Sequence, residues 1–171
     1  MENQHAILFQ VNQEDYGADI RHIQAIERMG HLKEISGLPP EVRGISKIRE
    51  EMIPVIDASV ILHHKPLSID EKSKLLIFSS KIGLAYLLVS DAKEMIAIHE
   101  GDIKPFHLQS DCFKGVLERN SQLIIQLDLD AVTGRIAGFE TISEHIDHEH
   151  TTVKLTEIKK AAPNRRSLFI S

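Results

Sequence analysis

The side chains able to do chemistry fall at spacings that complete no known catalytic or metal-binding set. His145, Asp147, His148 and His150 crowd three imidazoles and a carboxylate into six residues, and both groups are ligands for zinc. A closed site needs a turn, strand or helix that aims its donors at one point, and this spacing fits no such motif. A solvated polar segment is expected there, with no metal and no cofactor. Asp128 and Asp130 stand two apart. On a strand they would point the same way and could hold Mg²⁺, although an aspartate capping a short helix is the simpler reading. Ser90-Asp91 and the scattered histidines suggest a hydrolytic triad only if a nucleophile elbow is present, and no Gly-x-Ser-x-Gly occurs. No glycine-rich phosphate loop occurs either. Cys112 is the single cysteine, which excludes an intrachain disulfide and reads as a small buried thiol. His63 and His64 read as exposed linker residues. No catalytic residue is assigned.

The elements that would position these groups belong to an ordinary globular chain. Its 171 residues suggest one domain, possibly of two lobes, and 42% hydrophobic with 26% charged residues suits a packed core. A net charge of −5, no Trp, two Tyr and six Phe supply neither the basic field nor the stacking surface of a nucleic-acid binder. The longest apolar run, 82–89, is far short of the roughly 20 residues of a membrane-spanning helix, so no membrane insertion is expected. The first residues lack the basic and apolar regions of a secretion signal, and a cytoplasmic location is expected.

The chain also repeats itself. Residues 43–57 (RGISKIREEMIPVID) match 114–128 (KGVLERNSQLIIQLD). A basic residue and a glycine open each segment, and an aspartate thirteen residues after the glycine closes it: Gly44 to Asp57, Gly115 to Asp128. Ile45, Met52, Ile53 and Ile56 match Val116, Leu123, Ile124 and Leu127. Upstream, 7–11 resembles 75–78 and 16–20 parallels 83–87. Short apolar or alternating runs at 7–11, 18–26, 52–57, 75–78, 84–89 and 123–129 predict strands broken by turns. Brief helices are predicted near 57–63 and 128–134, each capped by its aspartate. The fold class is therefore mainly β. Two tandem five-stranded barrels are expected, one copy over about residues 5–65 and the other over about 72–137. Residues 138–171 form a tail in which Leu155, Ile158 and Ala162 predict a short amphipathic helix.

The stretch from Gly44 through Ile48, Arg49 and Glu50 to Ile53-Pro54-Val55-Ile56-Asp57 resembles the CheW-like domain family. Phe9, 16–20, Leu38-Pro39, Gly83-Leu84, 89–91, 103–105 and Gly115 agree with it in order. The resemblance implies SH3-like barrels and an adaptor without catalysis. It also implies two partners, the regulatory domain of a CheA-type histidine kinase and the cytoplasmic tip of a methyl-accepting chemoreceptor, with recruitment to membrane receptor clusters. The partner-binding positions that it implies are Ile23, Ala25, Ile45, Arg49 and Leu87. Alternation over 20–26 puts Arg21, Ile23 and Ala25 on one side of a strand, which is expected to line an exposed groove near Arg49. Several positions depart from the family pattern. Lys47 and Glu50 replace Asn and Gly, so a positive φ at Glu50 would carry strain; Tyr86-Leu87 replaces Val-Asp. A diverged paralogue serving another kinase pathway and a small metal-dependent enzyme built on the Asp and His residues are the alternatives.

Overall fold

The computed structural model describes residues 4–48, 50–105 and 111–142. Arg49, the 145–150 histidine cluster and the tail helix expected over 155–162 lie outside the described residues. The elements run β1 (Gln4–Val11), β2 (Glu14–Asp19), β3 (Ile23–Arg28), β4 (Leu32–Lys33), β5 (Val42–Ile48), β6 (Glu51–Asp57) and α1 (Ala58–His63). They continue as β7 (Lys74–Ser79), β8 (Leu84–Val89), β9 (Asp91–Ile98), β10 (Ile103–Lys104), β11 (Phe113–Arg119), β12 (Gln122–Leu127) and α2 (Leu129–Gly134). Single 3₁₀ turns at Ile20–His22 and Glu100–Asp102 precede β3 and β10. Two-residue turns join β1 to β2 and β11 to β12, and four residues join β7 to β8. Asn12 and Gln13 (φ 52° and 74°) link β1 to β2, and Asn120 and Ser121 (φ 51° and 64°) link β11 to β12. Paired positive φ values match the twist of the flanking strands, and Asn tolerates them best among non-glycine residues.

The fold is mainly β with a few short helices, but its two lobes are not successive copies of the repeat. Among the described residues there are two six-stranded sheets, ordered β4-β5-β6-β8-β7-β3 and β10-β11-β12-β2-β1-β9. Adding six to each strand number of one half gives its counterpart in the other. Each sheet thus takes one hairpin from one half of the chain and four strands from the other half. The seams are parallel: β6 on β8 (Val55↔Tyr86, Ile56↔Leu87, Asp57↔Leu88) and β12 on β2 (Ile125↔Tyr16, Gln126↔Gly17). Contiguous copies over 5–65 and 72–137 therefore do not correspond to the two sheets. Each sheet has six strands where five were expected, and its hydrogen-bonded order runs open from edge to edge. The seams also move the upstream match by one or two residues, setting Gly17 against Tyr86 and Phe9 against Phe78.

Within the halves the repeat is faithful. A register shift follows Val42 in β5 and Phe113 in β11, so Gly44 and Gly115 each sit just past a bulge. A Cβ at Gly44 would collide with the Lys33 carbonyl oxygen, and one at Gly115 would lie 2.7 Å from the Lys104 carbonyl oxygen. Both glycines are there because a neighbouring backbone crosses close above them. Asp57 caps α1, accepting from Ser59 N–H (2.8 Å) and Val60 N–H (3.3 Å), and Asp128 caps α2, accepting from Ala131 N–H (3.1 Å).

One apolar core runs between the sheets and takes Phe9, Tyr16, Val55, Phe78, Leu87 and Val132 from both halves. A smaller cluster of Ala6, Leu8, Ile96, Ile98, Leu117 and Ile124 lies on the other face of the β1-containing sheet. Phe139, 1% exposed, joins the main core, so the chain beyond 137 begins as packed structure; its burial contributes about 1.5–3 kcal/mol. Each helix reaches the hairpin tip of the opposite sheet. Asn12 Nδ2 donates to Ser59 Oγ at 2.7 Å, and Lys81 N–H donates to Asp130 Oδ1 at 2.9 Å.

Gly44→Ala and Gly115→Ala should each lower the unfolding free energy by about 1–3 kcal/mol through overpacking. Gly101→Ala, which meets nothing within 4 Å, should be near neutral. Urea denaturation reads all three, and equal midpoints would mean that neither crossing is tight.

Candidate partner-binding surface

The sequence-predicted positions that the structure describes fall in the β4-β5-β6-β8-β7-β3 sheet. Leu87 is 1% exposed on β8, paired with Ile56 on one side and Leu76 on the other. It is a core residue. Ile23 is 6% exposed and packs in the main core, so it does not line an exposed groove. The cause is local. Asp19 accepts from Arg21 N–H at 2.9 Å and starts the 3₁₀ turn, so regular strand begins only at Ile23. The register then shifts between Ile23 (opposite Phe78) and Ala25 (opposite Ile77). That bulge puts Ile23 and Ile26 on the same, buried side, where strict alternation would have separated them. Ala25, half-buried, lies on edge strand β3, and Ile45, half-buried, lies on β5 between Lys33 and Pro54. Three strands separate these two in the sheet order, so the four described positions do not gather into one patch.

What remains at the surface is the β5–β6 turn. Glu50 holds φ 70°, the strained conformation expected where an acidic residue replaces glycine. Lys47 Nζ reaches Glu50 Oε2 at 3.5 Å, and both side chains are exposed, so the turn carries a solvated ion pair. Four large apolar side chains also stand exposed among the described residues: Leu123 (67%), Met95, Ile69 and Ile35. The repeat aligns Leu123 with half-buried Met52, but only the structure shows how far it protrudes.

A polar cluster that the sequence reading missed joins α1 to the β1–β2 hairpin. Tyr16 Oη donates to Glu14 Oε2 at 2.9 Å, and His63 Nε2 lies 2.9 Å from Tyr16 Oη and 3.0 Å from Glu14 Oε2. Asn12 Nδ2 contacts His63 Nδ1 at 2.9 Å. His63 is therefore half-buried and hydrogen-bonded, where an exposed linker residue was expected. Hydrogen bonds from Tyr16 and then His63 hold the Glu14 carboxyl below its ordinary value. Burial, followed by the Glu14 hydrogen bond, pushes the Tyr16 hydroxyl well up. These hydrogen bonds tie α1 to the β1–β2 hairpin, so the trio works as a clasp between the sheets. At Asp19, burial opposes ionisation, but the Arg21 hydrogen bonds outweigh it and hold the carboxyl low.

The other candidate groups are also engaged in the fold. Asp128 and Asp130 cap α2 and hold the Lys81 N–H, so no paired-carboxylate site forms. Ser90 Oγ accepts from Asn12 N–H at 2.9 Å, and the Cys112 thiol is fully buried. Among the described residues no three His, Cys, Asp or Glu side chains converge on a metal position, and no helix is long and apolar enough to cross a membrane.

Comparison with known proteins agrees with this geometry. A family model described as the CheW-like domain matches residues 5–137. The chain is 24% identical over 131 residues to the chemotaxis protein CheW of Bacillus subtilis, covering 74% of this chain and 84% of that protein. It is 23% identical over 135 residues to CheW of Treponema pallidum, covering 72% and 78%. The crystal structure of scaffolding protein TtCheW from Thermoanaerobacter tengcongensis superposes with a TM-score of 0.69 at 23% identity, over 75% of this chain and 86% of that one.

Burial of Ile23 changes what its substitution should do. Ile23→Asp places an unpaired carboxylate in the core and should cost about 3–5 kcal/mol of stability. Ala25→Asp, at a half-buried edge position, should cost far less. Thermal melts compare the two directly, and an Ile23→Asp variant as stable as wild type would put Ile23 back on the surface.

Proposed function

Because the chain belongs to the CheW-like domain family, we propose that it is a non-catalytic adaptor of bacterial chemotaxis. In this reading it couples a CheA-type histidine kinase, through the kinase's regulatory domain, to the cytoplasmic tip of a methyl-accepting chemoreceptor. The observation that carries the reading is the match over residues 5–137, which takes in both interleaved sheets. The names of the relatives support it: chemotaxis protein CheW for those compared by sequence, and scaffolding protein for the structural neighbour. An adaptor requires no activated group. It requires two surfaces held in fixed relation, and here one continuous core and two crossed helix–hairpin contacts fix the two sheets to each other. The protein would act in the cytoplasm and be recruited to membrane receptor clusters through these partners.

The receptor-facing candidate is the β5–β6 turn with Arg49, flanked by Lys47, Glu50 and half-buried Ile45. A guanidinium can fork onto a carboxylate of a helical receptor tip. Leu87 and Ile23 contribute from inside, Leu87 by seating β6 against β8. One observation favours the paralogue reading, in which a different kinase pathway is served: an exposed Lys47–Glu50 ion pair stands where the family pattern has Asn and Gly.

Arg49→Ala should weaken binding of a receptor-tip fragment by about 1.5–3 kcal/mol, the range for a charge-assisted hydrogen bond, and leave the melting temperature nearly unchanged. The assembly is tested by co-purification of the full chain with a kinase regulatory domain and a receptor cytoplasmic fragment. A ternary complex that needs this chain supports coupling. Capture of the kinase domain alone points to the paralogue, and capture of neither contradicts the reading.

A further inference from the structure

The two halves of the chain are joined by one segment, residues 64–73, between α1 and β7. Across that joint they exchange hairpins: β7–β8 completes the sheet of β3–β6, and β1–β2 completes the sheet of β9–β12. The first half of one molecule and the second half of another could make the same ladders. What selects pairing within one chain is therefore how the joint turns back.

The joint is held by a built contact. Leu67 is 3% exposed; its N–H donates to Asp57 Oδ2 at 2.9 Å, and its carbonyl accepts from Arg43 Nη1 at 3.0 Å. Arg43 Nη1 also donates to Asp57 Oδ2 at 2.8 Å, and Asp57 is fully buried. The clamp grips both backbone groups of a residue in the middle of the connection. At the equivalent place in the second half Lys114 stands for Arg43, and Asp128 caps α2 through Ala131 N–H. The arginine is thus found at the copy whose chain must turn back into the partner half. We infer that the Arg43–Asp57–Leu67 clamp commits the chain to pairing its halves with each other. When the joint is shortened or released, the same surfaces take a second copy of this chain and form a reciprocal hairpin-exchanged dimer.

The reach of the joint makes this testable. Leu67 is tied to Asp57 on β6, whereas Lys74 opens β7, two strands away across β8, a separation of about 10 Å at ordinary strand spacing. Residues 68–72 are exposed. Removing them costs no core contact, but leaves two peptide steps that span at most about 7 Å. A full chain lacking 68–72 should therefore be a dimer by light scattering, with wild-type far-ultraviolet dichroism. Arg43→Gln, with the joint at full length, should refold to a dimer fraction about tenfold or more above wild type, rising with protein concentration. A folded monomer of the shortened chain, or a shortened chain without native dichroism, would overturn the inference. So would an Arg43→Gln protein that stays as monomeric as wild type at every concentration.

Discussion

The exchange of hairpins between the two halves is the constraint on which the rest of the structure depends. Strand β8 runs between β6 and β7, and β2 between β12 and β1; each makes one seam with the opposite half. A strand in that position has neighbours on both edges and apolar layers over it, which explains the unbroken buried run from Ala85 to Val89. It also explains why Gly17 lies under Gln126, where any Cβ would meet the glutamine side chain. Because neither half completes a sheet by itself, the core that both share is continuous from one sheet to the other.

Polar interactions then fix how the sheets sit. Both helices start from an aspartate at the end of a seam strand, and the first turn of each contacts the hairpin tip of the opposite sheet. The first does more, since α1 carries His63 into the Glu14–Tyr16 cluster and Asp57 anchors Leu67. The buried carboxylate is tolerable because Arg43 and three backbone N–H groups surround it. Under the proposed adaptor function, this arrangement would have a direct use. Two partners bound to different lobes keep one relative orientation only if the lobes do not hinge, and contacts on both sides of the shared core resist hinging.

Much of this was legible in the sequence wherever the signal was local. The glycine-to-aspartate spacing located both helix caps, and the apolar runs located β1, β6, β7, β8 and β12 but not β5, β9 or β11. The residues around Gly44–Asp57 pointed to the family before any coordinate did. Pairing across halves was not legible, because the alternation of β1 and β2 is the same whichever sheet receives them. The bulge at Gln24 has no composition of its own, so Ile23 was given to the wrong face. Leu87, a partner-binding position implied by the resemblance, lies in the core because its continuous apolar run forms a doubly covered strand. His63 looked like linker because its partners, Asn12, Glu14 and Tyr16, lie at the other end of the half.

Native-state hydrogen exchange tests the interleaving most directly, since it reports the opening free energy of each amide. The account predicts that amides in the two seams, Tyr86 to Leu88 with Val55 to Asp57 and Tyr16 to Gly17 with Ile125 to Gln126, exchange only through global unfolding. Both sheets would then show the same highest free energy and the same denaturant dependence. If one sheet opens with its hairpin while the other stays protected, the halves fold independently and the account is contradicted.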